Sequence, residues 1–172
     1  MTQLIVLDHG QPITFTFADL LKYHGAAFPG GVAHAFKVME RAFPLLSETG
    51  PVDRYEIHII TAFPGPGARD AFEMVTRAVT GNRFTVDPSL GGPDVLESAN
   101  GRYFFRLQYR SRVAELSLRP GIVRDEFIAL SRKKNRTEEE EKRLTWLKQD
   151  MADRLMSTAT HEAYDARIIQ AG

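Results

Sequence analysis

The sequence predicts an α+β fold: a small antiparallel or mixed sheet packed by central helices, with a helical hairpin at the C-terminal end. Three observations predict it. Residues 30–47 carry apolar side chains at the 3.6-residue period of a helix. The stretches RYEIHIITAF and GRYFFRLQYRSRVAELSLRP have the β-branched and aromatic content of strands. A third region opens at Thr137 with a capping box and continues as an acidic, amphipathic helix. The expectation is one domain over residues 1–172, with a core at about 15–122 and a helical region at about 123–172.

Each element has its own local signal. In ITFTFADLLKYHG a brief extended stretch precedes a helix; Thr16 and Asp19 make a capping box and Gly25 ends the helix. Pro29, Gly30 and Gly31 lead into the second helix, whose apolar stripe is Val32, Ala35, Phe36, Met39, Ala42, Phe43 and Leu46. A strand is expected over 54–63. A helix follows, with Pro66 near its start, Gly81 at its stop, and Ala68, Ala71, Phe72, Val75, Ala78 and Val79 on its inner face. NRFTVDP reads as a short strand, SLGGPDVLESANG as a turn-rich loop, and 101–120 as one bent strand or two consecutive ones. DEFIALSRKKN is helical. After it, Leu144, Leu147, Met151 and Leu155 line the inside of the long acidic helix, with Glu138/Lys142 and Glu139/Arg143 as outer i,i+4 pairs. Trp146 falls on the opposite face, either as a second packing surface or under the C-terminal tail.

Composition narrows the function classes. Lys+Arg and Asp+Glu both number 22, so no global field draws the chain to nucleic acid or an anionic membrane. The run SRKKNR is balanced by the neighbouring EEEE. No apolar stretch approaches the roughly 20 residues of a membrane span, and MTQLIVLDHGQP lacks a basic n-region, so the expected location is cytoplasmic. With no cysteine there are no disulfides, thiolate nucleophiles or Cys-based metal sites, and any metal must rely on His, Asp, Glu or backbone oxygen.

Among the five histidines, His24 stands out because it ends a helix beside AAFPGG, near the free amides of the next helix. It either meets a ligand there or caps its own helix. His34 is placed on the polar side of its helix, near Lys37 and Arg41, and is expected at the surface. His58 lies within a strand and reads as a satisfied sheet histidine; His9 and His161 carry no signal. Asp70 is explained by the positive end of its helix and becomes catalytic only if it meets His24. Arg102, Arg106 and Arg110 alternate with aromatics, a pattern of anion or single-stranded nucleic-acid binding or, more commonly, of a solvated strand face; the zero net charge weighs against nucleic acid. GxxxxGK[ST], GxGxxG with a following acid, GxSxG and HExxH are all absent. PGPG before the third helix lacks the Lys and Ser/Thr of a phosphate cradle.

The order LLKYHGAAFPGG, amphipathic helix, GARDAFEMVTRAVTGNRFTV resembles the FmdE-like family of formylmethanofuran dehydrogenase components, whose first motif is approximately FHGHLCPG. The resemblance spans about residues 15–169. It implies an α+β domain, commonly a homodimer, tied to one-carbon or cofactor metabolism, with a metal pocket in many members. His24 matches the first histidine of that motif and Ala26 replaces the second. Phe28 and Gly67 stand where metal-binding cysteines belong, and Asp70 matches the aspartate of the later motif. The resemblance therefore implies a dismantled metal site, with Phe28 filling it and Gly30 and Gly31 beside a small-molecule pocket. In the alternative, a divalent metal such as zinc is held by His24, Asp70 and His34 or His58. Two functions follow: a small-molecule-binding or accessory protein, or an enzyme using His24 and Asp70 on a small anion that contacts Arg102 or Arg106.

Overall fold

The computed structural model describes residues 2–170. The chain begins with a hairpin, β1 (Leu4–Asp8) and β2 (Gln11–Phe15), closed by His9 and Gly10, both at positive φ. Helix α1 (Phe17–His24) follows, with the Thr16–Asp19 capping box formed and the Gly25 N–H donating to the Leu21 carbonyl. Then come α2 (Pro29–Leu46), β3 (Val52–Asp53), a 3₁₀ turn (Arg54–Glu56), β4 (Ile57–Thr61) and α3 (Pro66–Thr76). The rest is β5 (Phe84–Val86), β6 (Phe104–Tyr109), β7 (Arg112–Leu118), α4 (Asp125–Arg132), α5 (Glu138–Ser157), α6 (Thr160–Ala163) and β8 (Tyr164–Gln170). The fold is α+β, as its sequence predicts.

Two sheets form. β2-β1-β3 is small, and β5-β4-β6-β7-β8 is the main one, antiparallel except for the parallel β4–β5 pair. Strand alternation gives the main sheet two unlike faces. Ile59, Leu107 and Ala114, paired in register, point into the core. On the outer face Glu115 is flanked by Arg106 and Arg167, and Arg106 Nη2 lies 2.7 Å from Glu115 Oε2.

Helix α2 is the centre of the molecule. It packs against α1, α3, α5 and the main sheet. Its polar side is therefore enclosed as well: His34 is fully buried and Lys37 nearly so, paired to Glu40 at 3.0 Å. The expectation of a surface His34 is corrected, because an apolar stripe identifies one packed face while this helix is packed all round.

Several boundaries also differ. Helix α3 stops at Thr76, before Gly81, with Arg77 in the left-handed region; Glu73 and Thr76 turn their side chains onto the exiting chain at Thr80 and Ala78. Residues 101–120 fold as a hairpin, so the two-strand reading holds. Residues 164–170, placed in a helical region by sequence, are strand β8 on the edge of the main sheet. The α4–α5 hairpin is present. Its Glu138–Lys142 pair forms at 3.4 Å, but Arg143 bonds Glu126 of α4 rather than Glu139. Trp146 is 48% exposed, with the Arg143 guanidinium 4.4 Å from the ring centroid, so the tail does not cover it. Among the described residues, no helix is long and apolar enough to cross a membrane.

The arrangement that positions the site is the contact between the starts of α2 and α3. A Cβ placed on Gly31 would sit 3.0 Å from the Ala68 amide nitrogen, and one on Gly67 3.1 Å from that of Val32. A side chain on either glycine would require the facing turn to yield by a few tenths of an ångström.

Candidate functional site

A cleft of about 280 Å³ opens where the α2 and α3 starts face the α4–α5 hairpin. Phe28, Gly30 and Gly31 come from the α2 start, and Pro64 to Gly67 from the approach to α3. Phe127 and Ser131 of α4, Lys148 and Met151 of α5, Phe63, Tyr103 and the loop 98–100 complete the wall. The loop is held against α4 by Arg132, whose Nε donates to the Ala99 carbonyl at 3.0 Å and whose Nη2 donates to that of Ser98 at 2.9 Å. Tyr103 is held by stacking on Phe63 and on His34, with centroids 5.2 and 4.7 Å away.

The walls are mostly apolar with a few polar groups, the composition of a small-molecule site. Lys148 is the only charged side chain among the described lining residues. Its Nζ lies 4.2 Å from the Phe28 ring centroid, and burial, with repulsion from Arg136, lowers its pKa below the ordinary lysine value. Ser98 is 2% exposed and its Oγ is buried without a hydrogen-bond partner among the described residues.

Behind Gly67 lies His24. Its Nδ1 is 2.7 Å from Asp70 Oδ2, so it bonds across to α3 and does not cap its own helix. Its Nε2 is buried without a partner, 3.2 Å from where a Gly67 Cβ would stand. Asp70 thus orients the ring and fixes which nitrogen faces the Gly67 wall. The histidine–carboxylate pair has the geometry of an acid/base unit. Neither residue lines the cleft, however, and Nε2 is screened from it by the α2–α3 contact.

The other residues singled out by sequence are distributed unevenly. Phe28, Gly30 and Gly31 line the cleft. Phe28 does not fill it: the residue is 57% exposed, and its ring lies against Lys148. Arg102 donates to the Gly91 carbonyl at 3.0 Å and secures a loop. Arg106 is engaged with Glu115 on the outer sheet face. The structure does not bring either arginine to His24 and Asp70. His34 bonds Tyr164 through Nδ1 at 2.6 Å, and His58 is exposed on β4, so neither converges on His24.

The donor set does not fit the metal that the resemblance implies. His24 retains one free ring nitrogen, Gly67 has no side chain, and Phe28 is a phenyl ring. Among the described residues no group of three His, Cys, Asp or Glu side chains is placed to hold a metal ion. No known family model matches the chain, and no curated protein matches it.

Lys148, Ser98, Tyr103, Phe127 and Met151 were not singled out by sequence as site residues. Lys148 carried a signal, since it lies four residues after Leu144 and three before Met151, on the edge of the inner stripe of α5. Ser98 carried none; its position depends on the fold of a long loop.

Proposed function

We propose that the chain is a small-molecule-binding or accessory protein resembling the FmdE-like family of formylmethanofuran dehydrogenase components, with a degenerate metal site and a role linked to one-carbon or cofactor metabolism. The observation that carries the binding reading is the cleft itself: apolar walls, two uncapped helix starts and a buried, unpartnered Ser98 hydroxyl converge on one space. The family part is supported by the placement of Gly67 between His24 and the cleft that Phe28 lines, these being the three positions at which the resemblance places metal ligands. Phe28 and Gly67 line the cleft, and His24 Nε2 is against Gly67. A homodimer and a cytoplasmic location belong to the same reading. The half-exposed Trp146 face is the feature that supports the dimer.

Blocking the cleft tests binding. Ser131 is on α4, which buries none of its residues, so Ser131→Trp fills the space with little disturbance to the core. The expected outcome is a small molecule retained by the purified protein in native mass spectrometry and absent from the variant. Equal retention by both proteins would remove the cleft from consideration.

The second reading, an enzyme, is favoured by the 2.7 Å His24–Asp70 bond and the unpartnered Nε2. It requires the α2–α3 contact to open enough for substrate to reach the ring. If so, the bound molecule shifts the His24 ring resonances in a nitrogen-15 spectrum; unmoved resonances would leave binding alone.

A further inference from the structure

Helices α1, α4 and α5 open with acidic residues, and α1 and α5 also with capping boxes, so the positive ends of those helices are compensated within the chain. Helices α2 and α3 have neither a side-chain cap nor an acidic residue in the first turn. These are the two helices whose starts touch and together face the cleft. Each offers first-turn N–H groups with no intrahelical acceptor.

Helix starts alone do not make a site. A second observation comes from Ser98, a residue 2% exposed whose Oγ has no partner and which forms part of the same wall. A buried hydroxyl without a partner is costly unless something in the cleft accepts its hydrogen bond. Lys148 adds a full positive charge, and no carboxylate lies among the described lining residues. Every polar feature here that discriminates charge favours a negative guest.

We propose that the cleft takes a small organic anion: a carboxylate or phosphate head at the joined starts of α2 and α3, within reach of Lys148 and Ser98, on a ring-sized apolar body packed against Phe63, Phe127 and Met151. This inference rests on the binding reading above and gives it a ligand class. The apolar walls select for a body larger than inorganic phosphate, and the donors select for a single charged end.

Titration of the full chain with benzoate, phenyl phosphate and the neutral isostere benzamide tests it, by calorimetry and by amide chemical shifts. At least one anion is expected to bind about tenfold more tightly than benzamide, the difference a charge-assisted hydrogen bond makes. Shifts should fall on the amides of Gly30, Gly31 and Gly67. The better of the two anions identifies the head group as carboxylate or phosphate. Lys148→Met, which keeps the aliphatic stem, should reduce that preference about tenfold. Asn100→Asp, in the loop rather than on a helix, should do the same by adding a negative charge. Should Lys148→Met unfold, the Asn100 variant still decides. Binding of benzamide as tightly as the anions would overturn the anion inference and leave the binding reading intact. No cleft shift with any of the three would overturn both.

Discussion

A Cβ built on Gly67 would lie 3.2 Å from His24 Nε2 and 3.1 Å from the Val32 amide nitrogen. At such distances a cysteine enters only if its neighbours yield by a few tenths of an ångström, and its sulfur would then be beside the imidazole. Phe28, at the mouth of the same cleft, can be replaced without opening a core void because the residue is 57% exposed. These distances bear on the resemblance directly. If His24, Phe28 and Gly67 descend from a metal site, Phe28→Cys with Gly67→Cys should restore a three-donor pocket that binds zinc. The expected result is near-stoichiometric zinc in the untagged double variant by elemental mass spectrometry, lost again when His24→Ala is added. A metal-free double variant with wild-type structure would remove the positional support for the family reading. At this scale His24 was legible because it ends α1 before Gly25, whereas Asp70, expected in the first turn of α3, is the fifth residue of that helix and lies beyond that turn. Their 2.7 Å contact bridges 46 residues of chain and follows only from the packing of α1 on α3.

The long helix α5 illustrates how an element can be fixed by its ends. Thr137 Oγ1 accepts from the Glu140 amide at 3.1 Å while the Glu140 carboxylate accepts from the Thr137 amide at 3.1 Å. Lys133 and the Thr137 amide together hold the Glu140 pKa down to about 2, so the box stays charged in all but strongly acidic solution. Removing the hydroxyl with Thr137→Ala should cost about 1 kcal/mol in urea denaturation, and Thr137→Ser should recover most of it. A loss indistinguishable from zero would mean that the packing of Leu144, Leu147 and Met151 alone sets the helix start. Capping boxes were readable because both partners lie within four residues. The N-terminal hairpin and β8 were less so. Tyr164, Ala166 and Ile168 alternate inward, but a seven-residue edge strand is committed by pairing with β7, some fifty residues earlier. Helix α2 was recognised as an element and misread in its surroundings: its period reported the apolar face, and the neighbours that bury the other face are supplied by α3, α5 and the sheet.

Those neighbours meet at His34, where the helical and sheet layers are joined by one polar side chain. Its Nδ1 bonds the Tyr164 hydroxyl of β8 at 2.6 Å, its Nε2 lies 3.4 Å from Met151 Sδ of α5, and its ring stacks on Tyr103 beside β6. Burial pushes the His34 pKa down to about 3, and the facing tyrosine hydroxyls are driven upward by the same burial, so the cluster is neutral at ordinary pH. In the unfolded chain His34 takes up its proton near the ordinary value of about 6.5. Between these two values the unfolded state binds more protons than the folded one, and stability falls as pH falls. The contribution is fully present above about pH 6.5, and about 2 kcal/mol of it should be lost between about pH 7 and pH 5, above the range in which most carboxylates titrate. Urea denaturation at a series of pH values should show this slope. His34→Gln should be less stable at pH 7 yet flatter across the window, because its amide has no proton to gain. Parallel slopes in the two proteins would assign the acid sensitivity elsewhere. Tyr103 and Met151 also line the cleft, and folded His34 stays neutral across this window, so the folded protein should bind ligand equally well at pH 7 and pH 5 while its stability falls. Binding that weakens in step with stability would mean that His34 takes up its proton in the folded state.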